Sequence, residues 1–280
     1  MTIDNLDVFY REAGPADGPP VVLLHGFPTS SHMFRDLIPA LADRYRVYAP
    51  DYIGFGYSAA PPPEEFGYSF DSLADVTAKL LDRLGVDRYA VYMQDYGAPV
   101  ALRLMLANPN RFTAIISQNG NAYEEGLVPE FWDPLFAYAK NPGPEAEAAA
   151  RQAFTEPLVR RQYEHGVPDK SLVSPDAWTH AMNILNRPDN DRIQLQLFRD
   201  YKTNLDIYPR AQQCFRERRY PLLAVWGGND EIFGPDGARA FQRDLPDAEV
   251  HLLDTGHFAL ETHADVIAGY IRGFLGRVLP

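Results

Sequence analysis

Residues 89–107, Tyr-Ala-Val-Tyr-Met-Gln-Asp-Tyr-Gly-Ala-Pro-Val-Ala-Leu-Arg-Leu-Met-Leu-Ala, decide how this chain folds. Tyr89 to Met93 reads as an apolar strand and Gly97 to Ala107 as a helix, with the polar turn Gln94-Asp95-Tyr96 between them. Outward from this unit the same alternation repeats. Val21-Val22-Leu23-Leu24 is a short continuous apolar run, as in a strand buried on both faces of a parallel sheet. A helical stretch follows from about Ser31 to Ala42, then a strand at Arg46 to Pro50, a helix from Ser72 to Leu84 and a strand from Phe112 to Gln118. Such βαβ repetition predicts an α/β chain whose mostly parallel sheet is flanked by helices. Upstream, Leu6 to Glu12 alternates apolar and polar residues like a half-buried antiparallel strand, and the Gly/Pro-rich stretch 14–20 then turns the chain.

The alternation stops after Asn121 and resumes with Pro221 to Trp226, Asp236 to Asp244, Glu249 to Leu253 and His263 to Val278. The residues between have helical spacing and almost no strand signal. We read 1–121 and 217–280 as one core and 122–216 as a helical cap inserted between two of its strands. A separate helical domain on a linker is the other reading. It would leave the far side of the sheet with two strands, too few for independent stability.

Hydrophobic residues at 46% and charged residues at 23% give the balance of a soluble globular protein. A net charge of −12 repels a phosphate backbone, so nucleic acid is not an expected partner. Cys214 is the single cysteine, which leaves no internal disulfide, no cysteine-based zinc site and no iron–sulfur cluster, and fits a reducing compartment. The start Met1-Thr2-Ile3-Asp4 lacks a basic or apolar leader and no apolar run reaches the length of a membrane span, so the expected location is cytoplasmic.

Several strands end in unusual polar residues, where ligands bind in open α/β sheets. These ends are Leu24-His25-Gly26-Phe27-Pro28, Gln94-Asp95-Tyr96-Gly97, Trp226-Gly227-Gly228-Asn229-Asp230 and Asp254-Thr255-Gly256-His257-Phe258. In chain order they offer Asp95, Asp230 and His257. That is the order nucleophile, acid, base of the α/β-hydrolase fold, with aspartate where serine usually stands. Over nearly its whole length the chain resembles the soluble epoxide hydrolases and haloalkane dehalogenases. The Asp95-Tyr96-Gly97 turn, the stretch Gln118 to Gly126 and the ending Thr255 to Glu261 look most like a microbial subgroup on the epoxide-hydrolase side. In one respect the chain departs from the pattern: the strained turn has small residues on both sides of the nucleophile, and Gly97 fits but Met93 does not.

Taken alone, Asp95 could simply cap the helix that follows; its partners favour the chemical reading. Ser58, in Gly56-Tyr57-Ser58-Ala59-Ala60, is excluded as a rival nucleophile because Pro61-Pro62-Pro63 prevents a helix from starting after it. The same prolines exclude Gly54-Phe55-Gly56-Tyr57-Ser58-Ala59 as a dinucleotide fingerprint, since the phosphate needs a helix N-terminus.

A carboxylate is already anionic at neutral pH and can displace a leaving group from saturated carbon. The expected substrate therefore carries an electrophilic sp³ carbon, as in an epoxide, an alkyl halide or a haloacid, and no cofactor is called for. The resemblance implies an ester on Asp95, hydrolysed by water with His257 as base and Asp230 orienting it, while backbone N–H groups of Phe27 and Tyr96 hold the oxyanion. Dehalogenases commonly place tryptophan directly after the nucleophile to grip halide, and haloacid enzymes place arginine there; this chain has Tyr96. Epoxide hydrolases instead protonate the leaving oxygen with a cap tyrosine, and the resemblance points to Tyr201, with Tyr138 as its second candidate. His25, Trp132 and Trp178 are the expected pocket residues, His25 mainly shaping the oxyanion loop, and no histidine spacing suggests a metal. Epoxide hydrolysis is thus the expected activity. Dehalogenation is the alternative within the same chemistry, and a non-catalytic ligand-binding protein on a hydrolase scaffold is the alternative of another class.

Overall fold

The computed structural model describes residues 1–279, and its chain begins with a short antiparallel hairpin of β1 (Thr2–Ile3) and β2 (Leu6–Asp7). Asp4 and Asn5 turn it with φ of 48° and 66°, a conformation that short polar side chains tolerate. This corrects the expectation of one strand from Leu6 to Glu12. Only β3 (Tyr10–Ala13) joins the main sheet, running antiparallel to β5 (Arg46–Pro50) with Tyr10 opposite Pro50.

The remaining strands are parallel: β4 (Pro20–Leu24), β6 (Tyr89–Met93), β7 (Phe112–Ser117), β8 (Leu222–Gly227) and β9 (Glu249–Leu253). The sheet order is β3-β5-β4-β6-β7-β8-β9. β6 lies at its centre, and all five of its residues are buried, as an uninterrupted apolar run requires. Helices α2 (Phe70–Arg83), α3 (Gly97–Ala107), α10 (Pro235–Asp244) and α11 (Leu260–Val278) accompany the strands. The expected helix from Ser31 to Ala42 divides into a 3₁₀ turn at Ser31–Phe34 and α1 (Leu37–Leu41). Pro39 has no N–H to give and is tolerated only in a first turn, so the α-helix restarts just ahead of it.

Between β7 and β8 come α4 (Pro129–Lys140), α5 (Pro144–Arg151), α6 (Glu156–Glu164), α7 (Pro175–Leu185), α8 (Asn190–Asp200) and α9 (Thr203–Arg218). α4 packs on α8 and α6 on α7, whereas α9 lies against α3 and α10. No helix among the described residues is long and apolar enough to cross a membrane.

Because β4, β6, β7, β8 and β9 run in one direction, their C-terminal ends share one rim of the sheet. The turn from β6 into α3 is crowded there. A Cβ on Gly97 would stand 2.2 Å from the Leu24 carbonyl oxygen, and one on Gly26 would stand 2.3 Å from Asp95 Cβ. At the other end of the turn the tight approach is made by Gly120, whose Cβ would come 2.6 Å from the Met93 carbonyl oxygen. The backbone clearance is thus provided by Gly97 and Gly120, and the Met93 side chain packs in the core, which explains why a large residue is accommodated at 93.

Gly97→Ala should therefore lower the folding stability by about 2 kcal/mol or more, the range for overpacking against backbone that cannot yield. Urea unfolding measures this, and a midpoint equal to that of the parent chain would show that the turn is not tight.

Candidate active site

Asp95 has φ of 48°, in the left-handed region that non-glycine residues seldom occupy. The turn between β6 and α3 holds it there and aims the carboxylate away from the helix axis. Its Oδ1 accepts the Phe27 N–H at 2.7 Å, a bond from the loop after β4. A backbone bond from Tyr96 also favours its ionised form. The start of α3 shows no side-chain cap, so the helix-capping reading of Asp95 does not apply.

His257, on the loop after β9, lies 2.8 Å through Nδ1 from Asp230 Oδ2, and its Nε2 lies 3.9 Å from Asp95 Oδ2. The Nδ1 proton is therefore committed to Asp230, leaving Nε2 toward Asp95. Asp230 is itself held on both oxygens. Oδ1 accepts the Ile232 N–H at 2.8 Å, and Oδ2 accepts a second bond, from Asn119 Nδ2, at 2.7 Å. Asn119 ends β7 with φ of 47°, takes the Gly227 N–H on its own Oδ1 at 2.8 Å, and is bonded by Gln118 Nε2, which also reaches the His257 carbonyl oxygen. As an amide Asn119 cannot replace Asp230, but it orients it. That part was missing from the sequence reading, although a polar residue at a strand end was its visible signal.

Burial dominates the electrostatics. It pushes Asp95 up to about 6, opposed by His257 and by the backbone donors of Phe27 and Tyr96, while Asp230 adds to the rise. For His257 burial acts downward, but the charge and hydrogen bond of Asp230 together with Asp95 and Glu231 outweigh it, and its pKa lies above the ordinary value. Asp95 and His257 thus face each other in a buried site, with Asp230 fixed behind the imidazole.

Aromatic rings close over Asp95, which is only 5% exposed. Phe27 meets Tyr96, Phe154 and Phe198, and Tyr201 packs between Trp132 at 4.1 Å, Phe70 at 5.6 Å and Tyr96 at 6.0 Å between ring centroids. Burial first, and then the charges of Tyr208 and Asp95 among its neighbours, keep the Tyr201 phenol protonated far beyond the usual range. The Tyr52 and Tyr96 hydroxyls are also buried and have no hydrogen-bond partner, and Tyr208 lies beside Tyr201 and Asn121. The sequence reading did not single out Tyr52 or the hydroxyl of Tyr96.

Other expected pocket residues lie elsewhere or are already engaged. Tyr138 faces an outer pocket with Glu147, Arg151, Arg192 and Arg199, which corrects its expected place beside Asp95. Trp178 is half-buried on α7 under the Arg160 guanidinium, 5.0 Å above its ring. His25 is locked by its own loop: Nδ1 bonds the Gly26 carbonyl oxygen and Nε2 accepts the Tyr52 N–H. Trp132 does form a wall, but its indole N–H is donated to the Ile232 carbonyl oxygen. Ser58 is a loop residue, donating to the Asp51 carbonyl oxygen and accepting the Phe9 N–H. Among the described residues, no three His, Cys, Asp or Glu side chains gather as metal ligands.

This arrangement matches a known family over residues 19–264, described as the alpha/beta hydrolase fold. The chain belongs to that α/β-hydrolase family. It is 46% identical over 268 residues to an uncharacterized hydrolase of Saccharomyces cerevisiae, covering 95% of this chain and 92% of that protein. To haloalkane dehalogenase 2 of Mycobacterium tuberculosis it is 43% identical over 268 residues, covering 91% of this chain and 87% of the relative. Among solved structures, haloalkane dehalogenase DbeA from Bradyrhizobium elkani has a TM-score of 0.79 at 23% identity, covering 99% of this chain and 98% of its own. Epoxide hydrolase CorEH has a TM-score of 0.76 at 22% identity, covering 99% and 97%. These two share the fold, and the protein is a hydrolase of that fold.

The raised Asp95 pKa has a consequence for stability. Between the unfolded carboxyl value of about 3.9 and the folded value of about 6 the native state holds the extra proton, so stability falls as pH rises through that window. Asp95→Asn removes this loss. Its gain in unfolding free energy should grow from pH 4 to 6 and level off above at about 2–3 kcal/mol; a gain independent of pH would place the Asp95 pKa at its ordinary value.

Proposed function

We propose that this hydrolase opens small epoxides to diols through an ester on Asp95. The observation that carries the reading is the kind of donor present. Phenols surround Asp95, with the Tyr52 and Tyr96 hydroxyls lacking partners and Tyr201 packed against Tyr96, whereas the indole N–H groups of Trp132 and Trp226 are given to the Ile232 and Phe233 carbonyl oxygens. A departing alkoxide needs a proton, which a phenol can give; a halide needs only N–H dipoles.

Asp95 Oδ2 attacks one epoxide carbon, the carbon–oxygen bond of the ring breaks, and the ring oxygen takes the proton of Tyr201. Oδ1, already bonded by the Phe27 N–H, becomes the carbonyl oxygen of the ester, with the Tyr96 N–H as its second donor. Water then attacks Asp95 Cγ while His257 Nε2 takes its proton, and Asp230 steadies the imidazolium. Collapse breaks the Cγ–Oδ2 bond, the imidazolium protonates the departing alcohol, and the remaining carboxyl proton restores the Tyr201 phenol. One product hydroxyl carries the ring oxygen and the other carries Oδ2. In this reading residues 122–216 act as the cap, supplying Trp132, Phe154, Phe198 and Tyr201, and the closely set rings favour a small apolar substrate.

Haloalkane dehalogenation is the second reading, favoured by the 43% identity to the Mycobacterium tuberculosis haloalkane dehalogenase. A purely ligand-binding role is the weaker one, since binding alone gives no reason for His257 to be fixed by Asp230 at Asp95.

Asp95→Ala should reduce turnover on the order of 10⁴-fold, as removal of a nucleophile does. His257→Gln should still form the ester, so intact-mass measurement after substrate addition should show one adduct on the peptide carrying Asp95; turnover without any adduct would exclude the covalent route. Tyr201→Phe should cut diol formation from epoxides by about 10²-fold or more. If the same variant loses halide release from haloalkanes to the same extent, Tyr201 serves packing and the second reading gains.

A further inference from the structure

Gln94 comes immediately before Asp95 and is fully buried. Its backbone N–H is fixed to the Leu24 carbonyl oxygen. Its side-chain Nε2 lies 2.8 Å from His257 Nε2, closer than any oxygen of Asp95, while its Oε1 is buried with no partner. Since the Nδ1 proton of His257 is given to Asp230, the Nε2 of neutral His257 carries a lone pair, and the Gln94 amide donates to it.

We propose that Gln94 is a positioning residue for the general base, an amide that presents its N–H to neutral His257 and turns its free oxygen to the imidazolium that forms when the ester is hydrolysed. The inference rests on the acid–base role read for His257. In the resting state, donation from Gln94 favours neutral His257 and opposes an Nε2–H ion pair with Asp95, so the carboxylate keeps its Oδ2 free to attack. Once Asp95 is esterified, the approaching water must give a proton to the same nitrogen that the amide covers. Rotation of the amide uncovers it, and Oε1 then accepts the new Nε2–H, a charge-assisted bond stronger than the one given up. Because Oε1 has no partner beforehand, the rotation breaks no other bond of that oxygen. The charged groups that act on His257 are Asp230 from the loop after β8, Glu231 beside it and Asp95 from the turn after β6; Phe233 and Phe258 present rings only.

The test uses the ligand-free full-length protein first and turnover second. Imidazole titration of His257 by NMR should move upward by at least about one pH unit in Gln94→Glu, whose ionised carboxylate can only accept and so favours imidazolium alone. Gln94→Met keeps the length of the side chain without donor or acceptor. In it the rate of ester hydrolysis relative to ester formation, read by rapid quench, should fall about tenfold, the loss of one hydrogen bond to the imidazolium. An unmoved His257 titration in Gln94→Glu, or equal effects on both phases in Gln94→Met, would overturn the proposal. The titration needs no substrate, so failure to find an epoxide that reacts would refute the proposed activity and leave the role of Gln94 separately decided; should Gln94→Glu not fold, the Gln94→Met rates decide it.

Discussion

The burial of one carboxylate at a strained turn constrains everything around it. Asp95 sits in left-handed backbone, walled by rings, with Oδ1 held by the Phe27 N–H. Both features disfavour the folded chain: the strained conformation costs about 1–3 kcal/mol, and burial raises the carboxyl pKa. The neighbourhood compensates. Glycines at 26 and 97 let β4 and α3 close against the turn, and β6 anchors it from the middle of the sheet. A central strand is the most rigid base that this fold offers, which is where a side chain that must keep an unfavourable geometry belongs.

From that carboxylate the polar network extends in one direction only. It passes from His257 to Asp230, Asn119, Gln118 and back to the His257 carbonyl oxygen, a closed circuit linking the ends of β7, β8 and β9. Each member is buried and bonded, so the imidazole has little freedom to turn. On the aromatic side of Asp95 the opposite holds. Phenols stand without partners among aromatic rings, and hydroxyls in that state are available to a ligand in a way that satisfied groups are not.

How much of this could be read from sequence follows from the range of the forces involved. The central parallel strands were legible because burial on both faces writes an unbroken apolar run; Tyr89–Met93 begins and ends where its composition says. Polar residues at strand ends stood out against that background, and so Asp95, Asp230 and His257 were visible as candidates. The hairpin at Asp4-Asn5 and the interruption before α1 were not, because period-2 alternation survives a turn between two short strands and a proline can sit in the first turn of a restarted helix. The helices between β7 and β8 were hardest. They bury aromatic residues on several sides, so Tyr138 and Tyr201 look alike in sequence, and only tertiary packing puts one beside Asp95 and the other among surface arginines. Gln94 and the orienting bond from Asn119 to Asp230 escaped for a related reason: an amide has no charge to betray it, and its part is defined by the group it bonds.

The contrast between phenol and indole donors carries over to selectivity. An indole N–H placed beside a nucleophile stabilises a leaving anion without changing its protonation, which suits halide and leaves an alkoxide strongly basic. Here the Trp132 N–H is removed by packing, since it is turned to the Ile232 carbonyl oxygen, and position 96 carries a tyrosine with no indole to offer. Turning Trp132 toward Asp95 would leave that buried carbonyl without its donor, at a cost of about 1–3 kcal/mol. On the epoxide reading proposed above, the wall that holds Tyr201 in place therefore also resists conversion of the site to one that grips halide, and a change of leaving-group preference then requires repacking of α4 against the loop after β8 and not one substitution at position 96 alone.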